Sequence, residues 1–302
     1  MIRLWISGSS GFIGNFFCNF FDNLYEIVTF NRSNLSSSKF NSIIDSDIII
    51  HLAGKAHDLK RVISPGEYYK VNTELTRVIF DTFLISKAKV FITFSSVKAV
   101  ADEVDGKLTE DLLPNPLTHY GKSKLLAEQY ILSCPIPQGK RVYILRPCMI
   151  HGPGNKGNLN LLYNLVSKGL PWPLGIFDNS RSYLSIENLC FVVKELIERE
   201  DIPSGVYNVA DDIPLSTNEV INIIALSKGK KATILNMNQN LIKLLARMGD
   251  FLKLPLDSER LQKLTESYVV SNAKIKEALG KPLPVSSKEG LMRTFKSFAD
   301  ND

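Results

Sequence analysis

The chain has 302 residues, 44% of them hydrophobic and 22% charged, which is typical of a globular protein with one large or two modest cores. No apolar run approaches roughly 18 residues and the N-terminus lacks a signal-peptide pattern, so we expect a cytoplasmic protein without a membrane span. The net charge of +5 suits an anionic small ligand and forms no basic stripe for nucleic acid. The cysteines lack paired spacing and predict neither a metal site nor a disulfide: Cys18, Cys134, Cys148 and Cys190.

A glycine-rich turn follows the first predicted strand, at residues 2–6, and opens into a helix over residues 15–21. Free backbone N–H groups at the start of such a helix cradle a pyrophosphate, and the helix dipole adds attraction for the anion. The alternative is an ordinary turn between a strand and a helix. The predicted cofactor-binding residues of this turn are Gly8, Ser10, Gly11, Phe12, Ile13 and Gly14.

Predicted strands and helices alternate through the first half of the chain. The alternation predicts an α/β fold with a Rossmann-type, doubly wound parallel sheet. Residues 31–46 form an abbreviated crossover, so one strand there is missing or irregular. Further strands are predicted at residues 26–30, 47–52, 90–94 and 142–145, and helices at residues 67–85 and 119–134.

Prolines and glycines after residue 146 indicate an exit toward a smaller region. We predict a dinucleotide-binding domain over residues 1–155, completed by residues 183–211, and a mainly substrate-binding, α-rich lobe over residues 156–302. The returning pieces are a helix at 186–199 and a strand at 205–210. The helices of the lobe are predicted at 219–226, 239–251, 271–279 and 287–298.

The end of the second strand carries a clue to the type of cofactor. An NAD-preferring site usually places a carboxylate here, on the ribose hydroxyls. This chain instead has neutral Asn31 and cationic Arg32, with Ser33 beside them. A guanidinium suits the 2′-phosphate of NADP, so NADP(H) is favoured over NAD(H). The alternative is a solvated surface arginine.

Tyr120 and Lys124 form the candidate catalytic pair. Their i, i+4 spacing places both on one face of the predicted helix. A nearby ammonium lowers the pKa of a tyrosine, so the phenol can exchange protons near neutral pH. The spacing alone is weak, but the helix follows a nucleotide-domain strand that ends in Ser95 and Ser96. A pair on a surface helix is the alternative.

Matching motifs are spread over nearly the full length of the chain, at residues 8–14, 51–54, 67–69, Asn72, Thr76, 94–98, 120–124, 146–147 and 151–154. Together they resemble the extended short-chain dehydrogenases/reductases of the NAD-dependent epimerase/dehydratase family. Further stretches lie at residues 51–57, 95–98, 156–159, 173–175 and 179–182. These are similar to bacterial UDP-sugar 4-epimerases and 4-ketoreductases of surface-polysaccharide synthesis.

The resemblance implies roles for residues beyond the glycine turn. The cofactor would be lined by Leu52, Ala53 and Gly54, with Lys55 near the pyrophosphate, Asn72 and Ser95 close by, and Pro147 beside the nicotinamide. The substrate diphosphate would be held by Asn158 and Arg181, and Arg260 is a weaker candidate for that task.

The chain departs from the family at the substrate hydroxyl partner. The usual Ser or Thr aligns with Val97, and the neighbour is Ala99. Ser96 could supply the hydroxyl if the loop shifts, and Lys98 could donate to the substrate or be solvated. No Asp-Glu pair occupies this turn, which disfavours a 4,6-dehydratase.

Three functions remain open from the sequence. The first is a 4-ketoreductase that reduces a UDP-4-keto-6-deoxy-N-acetylhexosamine with NADPH, and the second is a UDP-hexose 4-epimerase that retains NAD. A non-catalytic nucleotide-binding sensor is third, disfavoured because Tyr120 and Lys124 are both present. The resemblance also implies a homodimer through the helices at 67–85 and 119–134. Leu126 and Ile131 would serve that face, or pack inward.

Overall fold

The computed structural model describes residues 1–30, 41–55, 64–155, 157–252 and 257–299. The strands are β1 (Arg3–Ser7), β2 (Glu26–Phe30), β3 (Ile48–His51), β4 (Val90–Phe94), β5 (Lys107–Leu108), β6 (Arg141–Pro147), β7 (Met149–His151), β8 (Tyr183–Ser185), β9 (Gly205–Val209) and β10 (Val269–Val270). The helices are α1 (Phe12–Phe21), α2 (Asn41–Ile44), α3 (Pro65–Tyr68), α4 (Leu75–Ile85), α5 (His119–Ser133), α6 (Asn158–Ser167), α7 (Ile186–Glu198), α8 (Thr217–Ser227), α9 (Gln239–Leu252), α10 (Ser258–Thr265), α11 (Ala273–Leu279) and α12 (Ser287–Ala299).

Six strands form one parallel sheet in the order β2-β1-β3-β4-β6-β9, which confirms the predicted fold class. The chain passes from β1 to β2 on one side and then crosses back to β3 on the other. The carboxyl end of β1 is therefore a topological switch point, where open α/β sheets bind ligands. Within the described residues β2 is the outermost strand on the β1 side of the sheet. Residues 31–40 of the abbreviated crossover lie outside the described residues.

The strands alternate their side chains between two buried faces. On β1, Leu4 and Ile6 join one apolar cluster, which also contains residues of α1 and α7. Trp5 faces the opposite way, into a second cluster with residues of α4 and α5. A period of two with both faces apolar is what a strand covered by helices on both sides requires.

A third apolar cluster forms the core of the C-terminal lobe. It draws residues from α6, α8, α9, α10 and α12, including Tyr163, Ile242 and Phe295. α11 differs from the prediction for residues 271–279, because Ile275 and Leu279 pack in the cluster on the sheet and not in the lobe. The β10 strand pairs with β5, and this pairing ties the lobe to the loop that follows β4.

One helix differs from the prediction, and one alternative left open by the sequence is resolved. The helix predicted over residues 67–85 is divided into α3, a π-helical segment at Tyr69–Glu74, and α4. On α5, Leu126 is exposed, but Ile131 is buried in the cluster under the sheet and offers nothing to a dimer face. No described helix is long and apolar enough to cross a membrane.

Candidate active site

The glycine turn brings three backbone segments into direct contact. Gly8 has a φ of +73°, and a Cβ added there would lie 2.7 Å from the backbone nitrogen of Ala53. A Cβ on Gly14 would lie 2.3 Å from the carbonyl oxygen of Gly8. Gly11 is the N-cap of α1 and provides no side-chain cap. Phe12 and Ile13 are the first two residues of that helix. This small-residue turn at the start of α1 fits a dinucleotide diphosphate.

A buried hydrogen-bond chain fixes the segment after β3. The Thr76 hydroxyl donates to the Asn72 carbonyl (2.8 Å), so it accepts from Nε2–H of His51 (2.9 Å). Nδ1 of His51 then accepts from the Ser7 hydroxyl (2.7 Å), which accepts from Ala53 N–H (3.2 Å). Burial lowers the pKa of His51 to about 3, with a smaller effect from Lys124, and the ring is therefore neutral.

Asn72 joins the segment that follows β3 to α5. Its side-chain oxygen accepts from Lys55 N–H (2.7 Å), and its amide nitrogen donates to the carbonyl of Lys55 (3.1 Å) and to the Ser123 hydroxyl (3.0 Å). Thr73 donates to the Ser123 carbonyl at 2.8 Å. The π-helical segment thus holds Leu52–Lys55 and α5 in one unit.

The Tyr120 hydroxyl lies against Ser96 at the end of β4. The two side chains hydrogen-bond, and this interaction lowers the pKa of Tyr120. Burial has the larger and opposite effect, so the pKa of Tyr120 is raised overall. The ring also contacts Tyr68, with centroids 6.2 Å apart. Ser96 therefore supplies a hydroxyl next to Tyr120, where the side chain of Val97 has none.

Lys124 is buried one turn further along α5. Its ammonium donates to the carbonyl of Phe94 (2.7 Å), and a Cβ on Gly54 would lie 3.1 Å from Nζ. Burial lowers the pKa of Lys124 to about 8, against an opposing effect of Glu128. The sequence predicts that Lys124 lowers the pKa of Tyr120; in the structure that pKa responds to burial, Ser96 and Tyr68, and the Lys124 ammonium is bound to the Phe94 carbonyl.

A buried ion pair lies directly behind this site. Nε of Arg146 donates to Oε1 of Glu128 at 3.0 Å, and the Ser95 hydroxyl donates to the same oxygen. Ser95 is predicted to bind the cofactor; in the structure its hydroxyl donates to Glu128 and its backbone N–H donates to the Leu145 carbonyl (2.8 Å). Pro147, the last residue of β6, is buried beside the pair and opposite Val209.

Val97 and Lys98 lie under the C-terminal lobe. Val97 is buried in a small apolar cluster with Tyr268. The ammonium of Lys98 lies 4.2 Å from the centre of the Tyr268 ring and donates to the carbonyl of Asp102 (2.7 Å). Burial lowers the pKa of Lys98, and Glu266 opposes that shift. Lys98 therefore lies at the boundary between the sheet and the lobe, held by a backbone carbonyl and the Tyr268 ring.

Arg181 lies near that boundary, where it interacts electrostatically with Lys98. Its guanidinium donates to Glu266 (2.6 Å) and to the carbonyl of Lys263 on α10 (2.6 Å). Electrostatic coupling between Arg181 and Lys98 lowers the pKa of Lys98. Arg260 is exposed on α10, with Nε 3.6 Å from Asp257. The predictions for Asn31, Arg32 and the Asn158 side chain fall outside the described residues.

Some residues of the site were missed by sequence reasoning. Gly121 is one: a Cβ there would lie 2.3 Å from the carbonyl oxygen of Lys98, so only glycine lets α5 approach the turn after β4 this closely. Ser123 and Glu128 are others, and both lie within two turns of Tyr120. A scan of the positions around Tyr120 for small and acidic residues could have found them.

Four of the predicted site segments lie together at the carboxyl end of the sheet. Residues 8–14, 52–55, 95–98 and 147 follow the carboxyl ends of β1, β3, β4 and β6, and parallel strands end at a common edge. The described residues hold no group of three His, Cys, Asp or Glu side chains that could bind a metal ion. The arrangement can bind a diphosphate and move a proton at the Tyr120 hydroxyl.

Comparison with known proteins gives a consistent result. A model of the NAD dependent epimerase/dehydratase family matches residues 4–210. The chain is 32% identical over 263 residues to a UDP-glucose 4-epimerase of Vibrio cholerae, covering 84% of this chain and 77% of the relative. It is 27% identical over 258 residues to the N-acetyl-alpha-D-glucosaminyl-diphospho-ditrans,octacis-undecaprenol 4-epimerase of Escherichia coli O157:H7, covering 82% and 76%.

Solved structures share the fold over the whole chain. A UDP-glucuronic acid 4-epimerase from Bacillus cereus, in complex with NAD, superposes with a TM-score of 0.73 at 19% identity and covers 99% of each chain. RMD from Pseudomonas aeruginosa, complexed with NADPH, superposes with a TM-score of 0.73 at 21% identity and covers 100% of each chain.

Proposed function

Because the chain belongs to the NAD-dependent epimerase/dehydratase family, we propose that it is an NAD(P)-dependent enzyme acting at C4 of a UDP-linked hexose. The observation that carries this proposal is the position of Tyr120. Its hydroxyl meets Ser96, and Lys124 lies one turn away, at the sheet edge where the glycine turn also lies. The residues proposed for proton exchange and for dinucleotide binding thus lie at the same carboxyl end of the sheet.

Tyr120 acts as the base and acid for the sugar O4. As a phenolate it takes the O4 proton when C4 is oxidised to the ketone, and it returns that proton when C4 is reduced. Ser96 favours the phenolate through its hydrogen bond to Tyr120. Lys124 lies one turn further along α5, with its ammonium on the Phe94 carbonyl. A bound nicotinamide ring supplies hydride exchange, and Gly8, the start of α1, and Leu52–Lys55 would hold its dinucleotide.

We favour 4-epimerisation with retained NAD over reduction of a separate keto sugar. Two relatives that this chain matches over more than three quarters of their length are 4-epimerases. The second candidate, the 4-ketoreductase, is supported by the sequence Asn31-Arg32, which lacks the carboxylate expected for NAD. It is also supported by a structural neighbour complexed with NADPH.

We place the diphosphate of the UDP-sugar substrate at the boundary between the sheet and the lobe. Arg181 lies at this boundary, and its fork geometry suits phosphate oxygens. Its present partners, Glu266 and the Lys263 carbonyl, hold the side chain in place. Arg260 on α10 and Asn158 at the start of α6 are the further candidates, and Lys98 adds a cation.

The test is incubation of the purified protein with UDP-N-acetylglucosamine or UDP-glucose without added cofactor, followed by product NMR. We expect the C4 epimer, and NAD released on denaturation. Conversion only of a UDP-4-keto sugar, with stoichiometric NADPH oxidation, would establish the ketoreductase instead. Turnover of neither substrate class would reject both. A Tyr120→Phe variant checks that any product depends on this site.

A further inference from the structure

The helix α9 presents an apolar face that no described part of the chain covers. Opposite this face, Ile242, Ala246 and Gly249 are buried, and the first two pack into the core of the lobe. The uncovered side chains have exposures between 42% and 88% and recur at helical spacing: Leu241, Leu244, Leu245, Met248, Phe251 and Leu252. A contiguous apolar stripe of this kind indicates an interaction surface.

Positive charge is concentrated in the stretch of sequence that contains this helix. From the end of α8 through α9, residues 228–252 contain five cations and a single carboxylate: Lys228, Lys230, Lys231, Lys243, Arg247 and Asp250. The carboxylate is already used, because Asp250 accepts from the backbone N–H (2.9 Å) and the hydroxyl (2.7 Å) of Ser258 at the start of α10. Lys243 and Arg247 are exposed on α9, so the charge beside the apolar stripe is positive.

The length of α9 restricts what it can do with a bilayer. With 14 residues it is about 21 Å long, which is too short to cross roughly 30 Å of hydrocarbon. A helix with an apolar face and flanking cations instead lies in the plane of the interface, with its apolar side chains below the headgroups. We propose that α9 docks the C-terminal lobe on an anionic membrane surface.

Charge favours a membrane over a second copy of this chain. In a two-fold pair of α9 helices, Lys243 and Arg247 would meet the same cations of the other copy, whereas acidic lipid headgroups offer the opposite charge. A dimer has another apolar surface available on α4 and α5. There, Val78, Ile85, Leu126 and Leu132 are exposed.

Docking through α9 would place the substrate site close to the membrane. α9 is bound to α10 through Asp250 and Ser258, and α10 provides the Lys263 carbonyl that Arg181 contacts. On the proposed function, the diphosphate of the sugar donor would then be bound near the headgroups. The docking itself does not depend on that function, and its test uses no substrate.

The test is co-sedimentation of the full chain with vesicles of phosphatidylglycerol and phosphatidylcholine, or of phosphatidylcholine alone. We expect binding to the anionic vesicles that weakens with salt and falls at least tenfold in Phe251→Ser and in Lys243→Glu/Arg247→Glu. Phe251 is 88% exposed, so its replacement leaves the fold intact. Ile85→Ser on α4, at a site 80% exposed, is the matched control and should bind like the unmodified chain.

Three results would overturn the proposal. The first is no binding to anionic vesicles at low salt. The second is binding that the α9 variants and Ile85→Ser reduce equally. The third is a mass by light scattering that drops from dimer to monomer in Phe251→Ser, which would make α9 a contact between two copies. Circular dichroism of each variant verifies that it is folded.

Discussion

At the scale of single residues, Tyr120 has a chemically distinct neighbour on each side. Ser96 contacts its hydroxyl, Tyr68 contacts its ring, and Lys124 lies one turn along the helix. Burial raises the pKa of the phenol and Tyr68 adds to that shift, so the phenolate form depends on the Ser96 hydrogen bond and on ligands that bring positive charge. Removal of the Tyr120 hydroxyl should therefore slow the reaction and leave ligand binding nearly unchanged.

Tyr120→Phe should lower kcat by about 10²- to 10⁴-fold, since it removes one acid-base group and leaves the packing of the ring. Cofactor binding, followed by protein fluorescence, should change little. Tyr69→Phe is the matched control, because Tyr69 hydrogen-bonds His119 (3.0 Å) on the exposed side of the same helices. Equal activities of the two variants would remove Tyr120 from the mechanism.

Ser96→Ala should shift the pH dependence of the reaction. The Ser96 hydrogen bond lowers the pKa of Tyr120, so its loss raises that pKa and leaves less phenolate at a given pH. The ascending limb of kcat/KM should move to higher pH, with a loss of about 10- to 100-fold at pH 7, as expected for a hydrogen bond to a charged group.

Ser95→Ala provides the control for that profile. The Ser95 hydroxyl donates to Glu128 and not to Tyr120, so the limb should stay where it is in the unmodified enzyme. A limb that stays in place in Ser96→Ala, or moves equally in both variants, would contradict the assignment of Ser96.

At the scale of elements, the site depends on how closely α5 approaches the turn after β4. Lys98 and Gly121 touch through backbone alone, and Asn72 in the π-helical segment holds α5 from the other side through Ser123. Together these contacts place Tyr120 beside Ser96. The geometry of the catalytic pair is therefore a property of two packed elements as well as of the i, i+4 spacing.

Gly121→Ala tests this packing. The added Cβ would lie 2.3 Å from the Lys98 carbonyl, so α5 must move away, and we expect a loss of about 1–3 kcal/mol in the free energy of unfolding together with reduced kcat. Gly66→Ala on α3 is the control, because its Cβ meets only the Ser64 hydroxyl at 3.8 Å. Chemical denaturation with a full activity assay would measure both effects. An unchanged kcat in a Gly121→Ala protein of normal stability would contradict the packing argument.

The sequence predicted the parts of the site that are local in the chain. The glycine turn, the strand ends and the pair Tyr120 and Lys124 each follow from short-range spacing. The ion pair of Glu128 with Arg146 joins residues 18 positions apart, and Tyr268 reaches the carbonyl of Ala101 from 167 positions away. No spacing rule encodes such contacts, because they depend on how the strands and the lobe pack.

One misassignment has a clear physical origin. The prediction placed residues 271–279 in the lobe because helical periodicity reports an apolar face and not the surface that the face meets. For Ile131 the same periodicity left a dimer face and inward packing both open, and the residue packs under the sheet. The sequence predicts that Ser96 supplies the hydroxyl missing at Val97 only if the loop shifts, and the fold is needed to bring Ser96 against Tyr120.

At the scale of the whole molecule, the lobe closes over the edge of the sheet through a few specific contacts. The β5–β10 pair, Tyr268 on the carbonyl of Ala101, and Lys98 over the Tyr268 ring connect the two parts next to Tyr120. A substrate bound between them would contact the proton-transfer group on one side and Arg181 on the other. This arrangement underlies the proposal that one protein binds a dinucleotide and a sugar diphosphate together.

The most direct test of the central claim is the reaction in D₂O with UDP-N-acetylglucosamine or UDP-glucose, analysed by NMR at C4 of the product. Hydride exchange with a bound nicotinamide, with Tyr120 handling only the O4 proton, predicts a C4 epimer that carries hydrogen and no solvent deuterium at C4. Deuterium at C4 would show that the carbon is deprotonated to solvent, and it would contradict the account.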